Sequence, residues 1–236
     1  MNNSEQNYFI DIHTHSPCQA DDVIQIINLF PEQLIPQLVA HFFYSVGWHP
    51  WYLKKENNDA FLKIVSDRGL RPEILAIGEC GLDRLSEVLF EYQIEVFKQQ
   101  ALIAERVQKP LLLHCVRAAN EIIKLKKEIK PKMPWIIHGF NSNVVTGREL
   151  IRHDLYISIG VDILKDISNA FSFLPEIPLD RLFFETGDVD LHVEKIYQKA
   201  ALKLDLELLA LKKQIQSNFN RVFVKEKCTD YSERKR

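Results

Sequence analysis

Short apolar runs separated by longer amphipathic stretches constrain this chain more than any other feature. Seven are clear: "YFIDIHTH", "FFYSVGWHP", "ILAIGEC", "PLLLHC", "WIIHGF", "LYISIG" and "LFFETG". A weaker eighth, "VIQIINL", covers residues 23–29. Near-continuous apolar character suits strands buried on both faces of a parallel sheet. The stretches between them carry helical periodicity. Leu89, Tyr92, Val96, Ile103 and Val107 fall on one stripe that closes before Pro110, and Ile122, Leu125 and Ile129 on a second that meets Pro131. Leu204, Leu208, Leu211 and Ile215 repeat the pattern near the end. These stripes read as core contacts.

Strand and helix alternate with no linker of changed composition, which predicts one α/β domain over residues 1–224. Eight repeats favour a closed TIM-like (β/α)8 barrel over an open sheet, and about 200 to 250 residues is an ordinary length for one. Residues 16–22 are too few for a helix, so the first crossover is shortened. Residues 225–236, "KEKCTDYSERKR", read as a polar tail.

Composition narrows the classes of function. Apolar residues make up 46% of the 236, enough for a sizeable core, and a formal net charge of −2 provides no global field for nucleic acid. An anionic substrate must therefore be held locally. The opening "MNNSEQNYF" lacks the basic and apolar regions of a signal peptide, and no apolar run nears membrane-spanning length. The expectation is a cytoplasmic protein with no membrane partner. Four cysteines show no metal-binding spacing and read as small apolar side chains in a reducing compartment.

The strand ends carry the chemistry. In "FIDIHTHS" alternation points Asp11, His13 and His15 to one side. Later runs end in His49-Pro50, Gly78-Glu79, Leu113-His114, Ile137-His138 and Glu185-Thr186-Gly187-Asp188. In a parallel barrel all these C-terminal ends share one rim, where active sites sit. Alternation also turns Glu79, His114 and His138 inward with Ile77, Leu112 and Ile136. A lone histidine closing an apolar strand is more often a hydrogen-bonded core residue than a ligand. Several together, left unpaired, would each cost several kcal/mol to desolvate. Imidazoles and a carboxylate converging on one face are what Zn²⁺ or a similar divalent ion takes.

The motifs "DIHTH", "VGWHP", "AIGECGLD", "LLLHC", "IIHGF", "FFETG" and "NFNRVF" give the chain, from about Tyr8 to Val224, a form that resembles the TatD-type metal-dependent hydrolases of the amidohydrolase superfamily. That resemblance implies two divalent ions (Zn, Mg or Mn), with His13 and His15 on one, Glu79 bridging, and His114 and His138 on the other. It implies hydrolysis of phosphodiester bonds in DNA, commonly with 3′-5′ exonuclease character, with nucleic acid as the partner. His49 would project from the rim to the substrate phosphate, the alternative being a turn residue before Pro50. Arg84 and Arg117, read from their charge, are either phosphate partners or solvated surface charge. Trp48, Trp51 and Tyr52 offer surfaces on which bases stack or, equally, packing.

The resemblance breaks at the last strand. The family pattern is Glu-Thr-Asp, with the aspartate contacting the attacking water; here Gly187 stands in its place. Asp188 takes over if Gly187 kinks the chain inward; otherwise the water-orienting carboxylate is missing or Glu185 must cover for it. The alternatives to a nuclease are a degenerate member that binds metal and nucleic acid or a protein partner with little turnover, or a metal hydrolase of another small ester or amide. Arg117 also lies three residues after His114, where the family has a basic residue two residues on.

Overall fold

The computed structural model describes residues 7–36 and 39–224, so the polar segment 225–236 lies outside the described residues. Eight strands form one parallel sheet in chain order: β1 Phe9–Thr14, β2 Val23–Leu29, β3 Phe42–Val46, β4 Ile74–Asp83, β5 Leu111–Val116, β6 Trp135–Ile137, β7 Tyr156–Ile159 and β8 Leu182–Phe184. The sheet curls into a nearly closed barrel. Backbone bonds join β8 back to β1: Gly187 N–H donates to the His13 carbonyl (3.0 Å) and His15 N–H to the Gly187 carbonyl (2.9 Å). Every one of the eight runs is a strand, including the weak "VIQIINL", whose seven residues are all buried.

Among the described residues seven α-helices cover the barrel: α1 Asn58–Gly69, α2 Phe90–Val107, α3 Ala119–Ile129, α4 Val144–Arg152, the short α5 Asn169–Phe173, α6 Glu194–Leu204 and α7 Leu208–Phe223. None is long and apolar enough to cross a membrane. The β1–β2 connection holds no helix, as its length requires, and among the described residues neither does the β2–β3 connection. The C-terminal helices compensate. Tyr197 on α6 places its hydroxyl against both the N–H (3.1 Å) and the carbonyl (3.0 Å) of Ile10, satisfying β1 where the short β8 does not reach it. From α7, the Asn218 amide donates to the Leu182 carbonyl at the start of β8 (2.9 Å).

Two apolar stripes depart from expectation. Leu204 to Ile215 is not one stripe but two helices, because Asp205 adopts a left-handed conformation (φ 53°) and ends α6. Aspartate takes that conformation more readily than most residues, and its short side chain gives no periodicity signal. Leu89 precedes α2 and is 68% exposed, whereas Val96, Ile103 and Val107 are buried as expected.

Candidate metal centre

Glu79, near the middle of β4, is buried among imidazoles from four strand ends. Its Oε2 lies 3.5 Å from His13 Nε2 and 3.6 Å from His15 Nε2. Its Oε1 lies 2.7 Å from His138 Nε2, 2.9 Å from His114 Nδ1 and 3.2 Å from His49 Nε2. The donor atoms within 4.8 Å of one another fall into two sets that share Glu79: His13 with His138, and His49 with His114. The pairing by distance thus sets His138 beside His13, whereas the resemblance grouped it with His114. His138 stands between the others, its ring centroid 4.3 Å from that of His13 and 5.7 Å from that of His114.

Neighbouring elements hold this geometry from behind. Asn28, on β2, accepts from the Glu79 N–H (2.7 Å) and from the Ser45 hydroxyl (3.2 Å). At Gly81 (φ 141°) a Cβ would stand 2.0 Å from the His114 carbonyl oxygen, so only glycine lets β4 and β5 approach closely enough for both side chains to meet. Two glutamines on the buried face of α2 reach the loops above. Gln100 bonds the backbone N–H and C=O of Trp48 (2.7 and 3.0 Å), and Gln93 does the same for Asp83 (2.8 and 3.0 Å).

His49 is placed differently from the rim position expected of it. It is 5% exposed, its Nδ1 accepts from the Trp51 N–H at 3.1 Å, and its Nε2 is turned inward to Glu79. It caps the turn at Pro50–Tyr52 and faces the site at once. Arg117 is exposed and lines an adjoining cleft of about 540 Å³, together with Arg84 and the start of α3. That cleft shares His138, Gly139 and Phe140 with the metal centre.

At β8, Glu185 is buried with Oε1 3.2 Å from His138 Nδ1. Gly187 has φ 63°, and after this left-handed step Asp188 brings Oδ1 to 3.5 Å from His15 Nε2 while staying 87% exposed at its side chain. The kink therefore exists and brings Asp188 to the edge of the site. Asp11 lies beneath His13, accepting from the Thr186 hydroxyl (2.7 Å) and N–H (3.2 Å) and from the His13 N–H (3.3 Å). Sequence reasoning missed Asn28 and Asp83. Asp83 Oδ2 lies 3.0 Å from His114 Nε2, and its position four residues after Glu79 on the same strand was the available signal.

The electrostatics favour a cation. The cleft, of about 490 Å³, is lined by Glu79, Glu185, Asp162 and Asp188 and by no lysine or arginine among the described residues. Burial alone would raise the Glu79 carboxyl, but His138 and the other imidazoles around it hold it well below the usual range. Burial would lower His138, and Glu79 and Glu185 instead hold it well above its ordinary value. Burial pushes His13 down to about 4, which leaves its ring unprotonated and free to donate a lone pair at neutral pH. Two buried polar atoms, His13 Nδ1 and Glu185 Oε2, have no hydrogen-bond partner. Imidazole nitrogens and carboxylate oxygens are the donors that Zn²⁺ and related ions take, and a divalent ion is the charge this lining lacks. The residues fit a metal.

A family model described as "TatD related DNase" matches residues 32–224. The chain belongs to that family. An uncharacterised metal-dependent hydrolase of Buchnera aphidicola is 25% identical over 94% of this chain and 90% of its own length. The 3′-5′ ssDNA/RNA exonuclease TatD of Citrobacter rodentium is 30% identical over 67% of this chain and 63% of its own length. The deoxyribonuclease Tat-D of Schizosaccharomyces pombe is 32% identical over 48% of this chain and 38% of its own. In fold, the chain matches the crystal structure of the Escherichia coli TatD homologue YjjV with TM-score 0.80 and 18% identity, over 92% of this chain and 98% of that one. The protein is thus a TatD-family metal-dependent hydrolase with histidine–glutamate clusters able to bind metal.

Proposed function

We propose that this TatD-family member hydrolyses phosphodiester bonds in DNA with two divalent ions, removing nucleotides from 3′ ends. The observation that carries this reading is the buried Glu79 carboxylate, met by five imidazoles within 3.6 Å in a cleft that no lysine or arginine lines among the described residues. A phosphodiester is an anion, and this lining offers no other lasting positive charge for it. The relatives named deoxyribonuclease and 3′-5′ ssDNA/RNA exonuclease support the substrate class.

In this reading His13, His15, Glu79, His114 and His138 would hold the ions, with Glu79 common to the two donor sets. Bound divalent ions supply Lewis-acid charge to the phosphoryl group and lower the pKa of water towards neutrality. The chain does the rest. Glu185, against His138 Nδ1, fixes the tautomer of that ring, so that Nε2 is the free donor. Asp188, at the open edge of the cleft, is the carboxylate placed to take the proton of the attacking water. His49, its ring locked by the Trp51 N–H and its Nε2 turned to Glu79, lies beside the place where the reacting phosphate would meet the ions. Arg117, in the next cleft, meets a neighbouring phosphate of the strand.

The test is incubation of metal-loaded protein with a 5′-labelled single-stranded oligonucleotide, with and without chelator. The expected result is a ladder of products shortened from the 3′ end that chelator abolishes. No chelator-sensitive cleavage of single- or double-stranded DNA with Zn²⁺, Mg²⁺ or Mn²⁺ overturns the reading.

A further inference from the structure

We propose that Trp51 is the platform on which the nucleobase beside the cleaved phosphodiester stacks, with its indole held in position by Asp83. The proposal rests on the nuclease reading above and adds the residue that recognises the base. Two tryptophans three residues apart have opposite fates. Trp48 is 1% exposed and packs edge-on against Phe61, with ring centroids 4.8 Å apart. Trp51 is 54% exposed, on a three-residue turn at the mouth of the metal cleft.

An exposed indole on a short turn ordinarily keeps rotamer freedom and gains little from its position. This one is anchored. Its Nε1–H donates to Asp83 Oδ2 at 2.6 Å, and Asp83 is itself 1% exposed and held through its backbone by Gln93. The same carboxylate oxygen faces His114 at 3.0 Å, so one buried acid ties the aromatic ring to the metal centre. The ring centroid stands 5.0 Å from that of His49 and 5.8 Å from that of His114. A base on the open part of Trp51 is therefore within a nucleotide's reach of Glu79. Two more aromatic rings line the same cleft: Tyr52, 51% exposed, and Phe30, whose centroids lie 5.3 Å apart.

A fixed aromatic ring, half open to solvent at the mouth of the cleft, is what a flat heterocycle binds. An indole immobilised in advance loses no further entropy when the base arrives. Lysine or arginine would serve a phosphate, but none lines this cleft among the described residues. The aromatic side thus matches a base and not a backbone. Stacking needs a free π-face, so the base must be unpaired.

Intrinsic fluorescence tests this directly, because Trp48 and Trp135 are both 1% exposed and Trp51 alone of the three tryptophans is open to solvent. With the Mg²⁺-loaded full chain, dAMP should quench tryptophan emission saturably, and 2-deoxyribose 5-phosphate, which lacks the base, should leave it nearly unchanged. Trp51→Phe should remove the quench. For a single-stranded oligonucleotide, Trp51→Ala should raise KM by about five- to 150-fold. Trp51→Phe should fall between, since it keeps a ring but loses the Asp83 anchor. Equal quenching by both phosphates, a quench that survives Trp51→Phe, or an unchanged KM in Trp51→Ala overturns the proposal while the nuclease reading stands on wild-type cleavage. A base-dependent quench through Trp51 without any cleavage supports the platform and removes the nuclease reading instead.

Discussion

The two strands that close the barrel bring opposite kinds of group to the same metal cleft. β1 delivers His13 and His15 by plain alternation: both rings face Glu79, and His13 is buried to 1%. β8 delivers its acids through a break in regularity. Glu185 goes inward, Gly187 turns through φ 63°, and Asp188 reaches His15 while 87% exposed at its side chain. A buried histidine held by a strand suits a permanent ligand. An exposed carboxylate beyond a glycine suits a group that must meet water and exchange protons with it. On the function proposed above, the β1 end would hold metal and the β8 end would handle the proton.

That division is broken most severely on the β1 side. His13→Ala should lower metal affinity more than the roughly 10- to 100-fold typical of losing an outer partner, and activity should fall with metal content, read by titration and elemental analysis. Asp188→Asn should leave metal content unchanged and lower kcat by about 100-fold, the usual worth of a positioned general base. If Asp188→Asn instead strips the metal, the two ends share one role and the distinction fails.

Asp11 ties the two ends together, since it bonds Thr186 of the β8 end and the His13 N–H of β1. Burial pushes its carboxyl up to about 7 from 3.8, the Thr186 hydrogen bonds only partly opposing it. A folded-state pKa above the unfolded value means that the contribution to stability is fully present below about pH 4 and is lost as pH rises towards 7. In metal-free protein, the stability of wild type relative to Asp11→Asn should therefore decline across that window, by on the order of 1 to 4 kcal/mol. Thermal melts of both proteins at several pH values check this. A bound divalent ion next to His13 should flatten the slope, because nearby positive charge favours the ionised acid.

Most of the barrel and of the donor set can be read from the sequence, because both depend on local patterns. Apolar runs mark strands, and strand ends in a parallel barrel share a rim, so His13, His15, Glu79, His114 and His138 converge without any long-range information. What escapes depends on backbone departures and on which neighbour arrives. Asp83 escapes because the apolar run that marks β4 in the sequence stops at Cys80, while the strand itself continues through Gly81 to Asp83. His49 reads as a rim residue, yet the turn it caps folds its other nitrogen inward. Trp48 and Trp51 share one motif, and only the packing of Phe61 from α1 against the first decides which is core. The break at Asp205 needed a left-handed residue that the leucine spacing hides.

The smallest expected effect is also the one that best separates the two ends. Gly187→Asp restores the carboxylate of the family pattern at the barrel-closing residue. Nothing lies within 4 Å of a Cβ there, so the side chain has room, and aspartate tolerates φ near 63° better than most residues. Strain should cost about 1 kcal/mol of stability, seen as a lowered melting temperature. Because Asp188 already stands 3.5 Å from His15, a second acid adds little, and kcat on a single-stranded oligonucleotide should change by less than about threefold. The informative variant is Gly187→Asp in the Asp188→Asn background. Recovery of most of the lost rate there means that the cleft accepts a proton-taking carboxylate from either position, and that the glycine moved the role one residue along the chain. A gain of tenfold or more from Gly187→Asp alone would mean that Asp188 is too exposed to serve.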